Sequence, residues 1–240
     1  MESRPRIAVL FRGYHYYTHM PPNRRPSTNP PTAFDFRRPW PHIRETVMDP
    51  LSARGNVSVF VSTYVSDHET QAALETALRP RRILYHGHDA NLKQTDILAD
   101  GLHLILGDNV VYDEVWIVRF DVMYKIPMSS WPAAVFDAQG VVVPFRERVT
   151  HKLLSDVLIV VRGSWYVLLK VWSAVDALAK RNMIDMHTIA DSYETMHIPY
   201  TTMYDEGYNS NTSTGDPVNP LFVLYGRYYR GKDAPTGFQA

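Results

Sequence analysis

The sequence predicts an α/β protein with a mostly parallel central sheet flanked by helices. Short runs of β-branched and aromatic residues alternate with helical segments through the first half of the chain, the pattern of strands joined by crossover helices. The 240 residues are 45% hydrophobic, which is enough to bury one sizeable core. Cysteine is absent, so disulfides and thiolate metal sites are excluded.

The predicted strands are short apolar runs that end in polar residues. In the first half they are 7–11, 57–64, 82–85 and the stretch that starts at Val115. In the second half, which is more mixed, they are 141–145, 157–161 and a strand-like tail within 221–230.

The predicted helices carry apolar residues at spacings of three and four. They are 42–54, 67–78, 95–106, 164–180 and 186–196. Asp67 and Ser164 are placed to cap their helices, and Arg79-Pro80 is placed to end the first of these two. Pro50 is expected to kink or shorten the helix that contains it.

The charge balance and the short apolar runs argue against a nucleic-acid partner and against a membrane span. Lys plus Arg and Asp plus Glu both number 25, so no overall basic field for nucleic acid is present. The first apolar run, Ile7 to Phe11, is too short for a membrane span or a signal peptide core. We therefore expect a soluble protein of the cytoplasm. The 15 tyrosines suit a ligand-binding protein or a homo-oligomer.

Polar residues follow five of the predicted strands. Ligands of open parallel sheets bind beyond the carboxyl ends of the strands, so these residues are candidates for a site. Their alternative role is simply to end the strands in polar turns. They are Arg12-Gly13-Tyr14, Ser62-Thr63-Tyr64, His86-Gly87-His88-Asp89, Arg119-Phe120-Asp121 and Arg162-Gly163-Ser164.

Familiar catalytic motifs are missing from the sequence. No GxxxxGK[ST], GxGxxG, HExxH or GxSxG is present. His86, His88 and His103 lack the spacing of a zinc site and are interpreted as surface or packing residues.

The triplet Arg119-Phe120-Asp121 has two interpretations. An Asp at a strand end can hold a divalent cation that bridges phosphate oxygens, and an Arg two residues earlier lies on the same face and can bind phosphate. Alternatively, the two charges form a salt bridge that closes the strand. We prefer the first interpretation, in which the triplet binds a cation or phosphate.

Several segments together resemble small nucleotide-sugar glycosyltransferases of the GT-A type. They are IAVLFRGY, VFVSTY, VWIVRFDVMYK, SDVLIVV and a Tyr-Asn-Ser-Asn segment before NPLFVLY. The likeness is to glycosyltransferases of large DNA viruses of algae, and it covers most of the chain in order. It implies one Rossmann-like GT-A domain over 1–240, with a nucleotide-binding half at about 1–125 and an acceptor-binding half at about 126–240. For a viral protein, the compartment would be the host cytoplasm.

The resemblance also implies a nucleoside-diphosphate sugar donor, a hydroxyl acceptor on a glycan, and often Mn²⁺ or Mg²⁺ on an Asp-x-Asp motif. Here Arg119 stands at the first Asp and only Asp121 remains. Either Arg119 supplies the charge of the metal, or Asp121 binds the metal with help from a later group. His187 is a candidate helper, with a structural histidine as its alternative.

By the same resemblance, Arg12, Gly13 and Thr63 line the nucleotide pocket, and Tyr14 or Tyr64 stacks on the base. Asp156 is a candidate general base for the acceptor hydroxyl, or else a polar strand start. Asp205 is a competing base, as is its neighbour Glu206.

Two loops have open roles. The 205–220 segment is rich in turn formers and is either a lid over the donor or a surface loop. The segment 21–41 holds seven prolines and four arginines. It covers the diphosphate, binds an acidic acceptor or forms a subunit contact.

Three functions therefore stand side by side. The first is glycosyl transfer from a nucleotide sugar. The second is a non-catalytic nucleotide- or sugar-binding module on the same fold, favoured by the missing first Asp. The third is a phosphohydrolase or nucleotidyltransferase, which would usually show more clustered carboxylates.

Overall fold

A computed structural model describes residues 4–17, 34–88, 92–148, 151–181, 183, 188–204 and 222–224. Its strands, in chain order, are β1 Arg6–Gly13, β2 Tyr16–Tyr17, β3 Phe34–Asp35, β4 Asn56–Tyr64, β5 Arg82–His86, β6 Glu114–Arg119, β7 Val122–Tyr124, β8 Gly140–Val143, β9 Arg146–Arg148, β10 His151–Leu154, β11 Leu158–Arg162, β12 Tyr200–Thr202 and β13 Phe222–Leu224. Its α-helices are α1 Trp40–Ile43, α2 Asp49–Arg54, α3 His68–Leu78, α4 Gln94–Leu106, α5 Ala134–Asp137, α6 Trp165–Lys180 and α7 Ile189–Thr195.

A seven-stranded sheet in the order β12-β8-β11-β6-β1-β4-β5 forms the centre of the protein. β1 pairs in parallel with β4 and with β6, and β4 pairs in parallel with β5. β11 runs antiparallel to both of its neighbours, and β12 runs parallel to β8. Six strands therefore share one direction, which confirms the predicted α/β class and the mostly parallel sheet.

Helices cover both faces of this sheet, because alternate residues of its strands point in opposite directions. Ile7, Val9 and Phe11 of β1 pack in the core on one face, together with residues of α2 and α3. Ala8 and Leu10 pack in the core on the other face, together with residues of α4, α6 and α7. β1 thus lies between two apolar layers, which explains its unbroken hydrophobic run.

The reversed direction of β11 corrects one expectation about the ligand-binding edge. Arg162 pairs in register with Glu114, the first residue of β6. Arg162-Gly163-Ser164 therefore lies at the amino ends of the parallel strands, opposite the edge where the other predicted strand ends meet. The residues just before β11 take that place instead.

The first helical span is continuous from Trp40 to Arg54, but its middle is a π-helical turn over Arg44–Met48. The Asp49 N–H bonds to the Arg44 carbonyl, five residues back. The ring of Pro50, next along the chain, would crowd the carbonyl four residues back in a regular helix. The predicted disturbance at Pro50 thus takes the form of a widened turn.

Asp67 and Ser164 occupy the N-cap positions that the sequence predicts for them. The Asp67 side chain accepts from the Thr70 N–H at 2.9 Å, and the helix ends at Arg79 in the left-handed conformation, φ 45°. Ser164 occupies the N-cap of α6, but its side chain makes no capping hydrogen bond.

Other strand and helix boundaries differ from the predicted ones. β6 ends at Arg119, with a turn at Phe120-Asp121 before β7. α7 begins at Ile189, and residues 186–187 of the predicted helix lie outside the described residues. Among the described helices, none is both long and apolar enough to cross a bilayer.

Gly101 of α4 packs directly against side chains of the sheet. A Cβ atom built there would lie 2.8 Å from Leu10 Cδ2 and 3.1 Å from Ser62 Cβ.

We expect Gly101→Ala to lower the free energy of unfolding by about 1–3 kcal/mol, because the added methyl overpacks this contact. Urea denaturation measures the change. Gly87→Ala is the control, since nothing lies within 4 Å of the added atom; equal effects of the two substitutions would contradict the prediction.

Candidate functional site

The carboxyl edge of the parallel strands gathers most of the predicted site residues. In the strand register, Arg12 lies beside Arg119 of β6 and Gly13 lies beside Thr63 of β4. Asp156, two residues before β11, reaches the same edge because β11 runs the opposite way. The predicted residues at this edge are Arg12, Gly13, Tyr14, Thr63, Tyr64, Arg119, Asp121 and Asp156.

Asp156 joins the two arginines. Arg12 Nη2 donates to Asp156 Oδ2 at 2.8 Å and to the Asp156 carbonyl at 2.7 Å. Arg119 Nη1 donates to Asp156 Oδ1 at 3.1 Å. The side chains of Arg12 and Asp156 are only 2% and 3% exposed, so this is a buried ion pair shared by two cations.

Arg119 also binds Asp121 with a two-pronged hydrogen bond. Its Nε and Nη2 donate to Oδ1 and Oδ2 of Asp121, each at 2.8 Å. The turn that places Asp121 here is anchored by Phe120, which is buried and stacks on Phe11 with ring centroids 5.3 Å apart. Arg119 and Asp121 therefore form the salt bridge that the sequence offered as an alternative. Asp121 lies on the turn after β6, and not within the strand.

The four charged groups together have no net charge, and Arg119 stays protonated. Burial disfavours the Arg119 cation, but Asp121 and Asp156 outweigh it and raise the pKa of Arg119 above its ordinary value. Within the described residues, Arg12 Nε and the hydroxyl of buried Tyr124 have no hydrogen-bond partner. Burial raises the pKa of Tyr124, so its hydroxyl stays protonated as a donor.

An aromatic stack lies beside this charged cluster. The rings of Tyr14 and Tyr64 are parallel within 8° and their centroids are 3.9 Å apart. Tyr64 is buried and donates its hydroxyl to the Leu92 carbonyl at 3.1 Å, and the ring of exposed His88 lies nearly parallel to it. The two tyrosines expected to stack on a base thus stack on each other, with Tyr14 the more exposed.

Gly13 ends β1 with φ +93°, a conformation that side chains rarely adopt. Nothing lies within 4 Å of the position where its Cβ would be. The backbone at this strand end is therefore open to close approach by a ligand.

His15 is a buried residue of this edge that the sequence did not single out. Its Nδ1 lies 2.6 Å from Thr63 Oγ1 and its Nε2 lies 2.9 Å from Ser66 Oγ. Thr63 Oγ1 donates to the Gly13 carbonyl at 2.7 Å, so it accepts from a protonated Nδ1 of His15. Its position just after a strand end was the one sequence signal for it.

Burial lowers the pKa of His15 to about 4, although Asp35 and Asp67 act in the opposite direction. The imidazole is therefore neutral at pH 7 and works as a hydrogen-bonding link between the ends of β1 and β4.

The arrangement around Asp121 does not fit a chelated divalent cation. Both of its carboxylate oxygens already accept N–H groups of Arg119, and a cation held between them would occupy the position of the guanidinium. Within the described ranges, no three Asp, Glu or His side chains come together as a metal-binding group. The other residues assigned at this site, His187, Asp205 and Glu206, lie outside the described residues.

No protein-family model matches the chain, and no curated protein matches it. The likeness to viral enzymes therefore stays a prediction.

Several solved structures are similar to this chain over most of its length. A protein of Desulfovibrio desulfuricans G20, provisionally described as a nucleotide-diphospho-sugar transferase, has a TM-score of 0.47 at 12% identity, over 89% of this chain and 84% of that one. A nucleoside-diphosphate-sugar pyrophosphorylase of Vibrio cholerae RC9 has a TM-score of 0.47 at 10% identity, over 82% and 90%. A mutant Drosophila β-1,4-galactosyltransferase 7, in complex with manganese, UDP-Gal and xylobiose, has a TM-score of 0.42 at 8% identity, over 97% and 78%. Values this low transfer no function to this chain.

We expect Asp156→Asn to destabilise the protein by about 3–5 kcal/mol, because it leaves two buried guanidinium groups without their shared carboxylate. Urea unfolding gives the value. Asp176→Asn is the control, since the ion-pair partner of Asp176 in the described part of the chain is Lys180, whose side chain is 75% exposed. Its loss should be under about 1 kcal/mol. A similarly small loss for Asp156→Asn would contradict the buried bridge.

The depressed pKa of His15 predicts that stability falls in acid. In the unfolded chain the pKa of His15 is the ordinary histidine value of 6.5, whereas burial in the folded chain lowers this pKa to about 4. Stability from this group is therefore complete above pH 6.5 and is lost as the pH falls toward 4, by about 2 kcal/mol between about pH 7.5 and 5.

His15→Asn should remove this part of the pH dependence in urea unfolding at the two pH values, and His103→Asn, on exposed α4 surface, should retain it. The same pH dependence in wild type and His15→Asn would exclude His15 as the source.

Proposed function

We propose that the protein transfers a sugar from a nucleoside-diphosphate sugar to a hydroxyl group of an acceptor. The observation that carries the proposal is the meeting of Arg12 and Arg119 on one carboxylate at the carboxyl edge of the sheet, beside the Tyr14–Tyr64 stack. Cations for a diphosphate and an aromatic surface for a base thus lie next to each other. Ligands of open α/β sheets bind at this edge.

The diphosphate is assigned to Arg119 and Arg12. Nη2 of Arg119 has one acceptor among the described residues and carries a second N–H, whereas Nη1 contacts both carboxylate oxygens of Asp156, at 3.1 and 3.3 Å. Guanidinium N–H groups of this kind bind phosphate oxygens. Positive charge at this point stabilises the diphosphate as it leaves the sugar, which is the charge that develops in the transition state.

The nucleoside is assigned to the neighbouring ends of β1 and β4. Tyr14 is the more exposed ring of the stack and provides the surface for the base, since buried Tyr64 supports it from behind. The open backbone at Gly13 gives the ribose or a phosphate room for close approach. Thr63 belongs to this pocket as a support, because its hydroxyl bonds to Gly13 and His15.

Asp121 and Asp156 are assigned to orient the two arginines. Their carboxylate oxygens already accept guanidinium N–H groups, a geometry that favours orientation over proton abstraction. The general base that takes the proton of the acceptor hydroxyl is then Asp205 or its neighbour Glu206. This assignment is a proposal from the sequence.

A non-catalytic nucleotide-binding module is the second candidate. The observation that favours it is that Asp121 and Asp156, the two carboxylates of the site among the described residues, are both paired with arginine. Such a module would bind nucleotide and leave the donor unchanged.

Nucleoside diphosphates should raise the melting temperature of the protein. At about 100 times Kd, a ligand stabilises the native state by about 2.7 kcal/mol. For a chain of this size, that shift corresponds to about 5–10 °C. Thermal shift with UDP, GDP, ADP, CDP and dTDP, each compared with its nucleoside, measures the effect and identifies the base.

Asp121→Ala should weaken the shift, because Arg119 loses its orientation, while Asp176→Ala on α6 should keep it. If no nucleotide stabilises the wild-type protein, the proposed function is wrong. Release of free sugar or transfer from the donor whose nucleotide binds then separates an enzyme from a binding module.

A further inference from the structure

We infer that this site holds the donor diphosphate without a divalent cation, and that the guanidinium of Arg119 takes the electrostatic role of the metal. The inference rests on the proposed function, since it concerns the diphosphate of the same donor. It follows from the hydrogen bonds of Arg119, its charge and the burial of its partners.

The position that a chelated cation would need is filled by Arg119. Its Nε and Nη2 face Oδ1 and Oδ2 of Asp121 at 2.8 Å, which uses the paired inward lone pairs of the carboxylate. A divalent ion bound by both oxygens would need the same lone pairs. One of the two cations has to leave.

Removing Arg119 from this position is unfavourable. Its Nη1 is bonded to Asp156, so moving the guanidinium breaks the contacts with both carboxylates together. Its side chain is only 12% exposed, so the displaced cation would need a new partner or a path to water. A nearby divalent ion would also repel it, since neutralising Arg119 is opposed by its raised pKa.

Charge counting agrees with this geometry. Two carboxylates that hold a divalent cation have no net charge, and the pair of Arg119 and Asp121 has no net charge without one. The replacement of an acidic residue by arginine adds two units of positive charge, as much as a divalent ion brings. The local field offered to a diphosphate is therefore similar in the two arrangements.

Arg119 also retains a donor that the role requires. The second N–H of Nη2 can bind a phosphate oxygen while the carboxylates keep the guanidinium plane fixed. Arg12 adds a second positive charge from the neighbouring strand, and its buried Nε has no partner among the described residues. Fixed N–H groups in a buried site need little reorganisation when the charge on the leaving group develops.

The experiment compares nucleotide binding in EDTA with binding in Mn²⁺. The probe is the nucleoside diphosphate that gives the largest thermal shift, and its Kd is measured by titration calorimetry. We expect the two Kd values to agree within about twofold. Titration of the wild-type protein with Mn²⁺ alone, followed by electron paramagnetic resonance, should show no bound ion at millimolar concentration.

Arg119→Asp is the informative variant, because it restores two carboxylates at this strand end. It should lose at least about tenfold in affinity in EDTA and recover affinity on addition of Mn²⁺. Arg119→Lys tests the geometry, since it keeps the charge and loses the fork. It should fall between the wild type and Arg119→Asp in EDTA, without a response to Mn²⁺.

The outcomes separate the two proposals. Nucleotide binding that disappears in EDTA and returns with Mn²⁺ in the wild type would overturn the metal-free inference and leave the proposed function standing. Absence of nucleotide binding in both conditions would overturn both. The wild-type measurements decide the inference even if Arg119→Asp fails to fold.

Discussion

Asp156 is the constraint on which the carboxyl edge depends. Two arginines from adjacent parallel strands come together there, and each would be costly to bury without a counter-ion. The carboxylate comes from a strand that runs the other way, so its start falls where the parallel strands end. The antiparallel strand β11 thus supplies the carboxylate that allows two arginines to be buried at this edge of the sheet.

A second network fixes the neighbouring part of the same edge. Neutral His15 links Thr63 to Ser66, and Thr63 returns a hydrogen bond to the Gly13 carbonyl. These bonds hold the ends of β1 and β4 together, and each of these strand ends carries one of the stacked tyrosines. A polar, charge-free support thus adjoins the ion cluster, so the base surface and the cationic surface are held by different forces.

The local parts of this structure were predictable and the long-range parts were not. The Asp67 cap and the runs of β1, β4 and β6 follow from side-chain chemistry within a few residues. The direction of β11 does not, because it depends on which neighbours the strand finds in the sheet. For this reason Arg162 was placed at the wrong edge, whereas Asp156 was recognised as a site residue without its arginine partners. The short pairs β7–β13 and β8–β12 likewise join residues far apart in the chain.

β6 carries an ion cluster at each of its ends. Glu114 at its start accepts from Arg162 and Arg54 at 3.1 and 2.9 Å, and Arg119 at its end binds Asp156 at 3.1 Å. Arg162 and Asp156 lie at opposite ends of β11. Both clusters therefore join β6 to β11, and both can form only if the two strands have matching lengths. A one-residue insertion or deletion in either strand would break one cluster while the other held. The length of this strand pair is therefore expected to stay fixed during evolution, even where the apolar residues between its ends are exchanged.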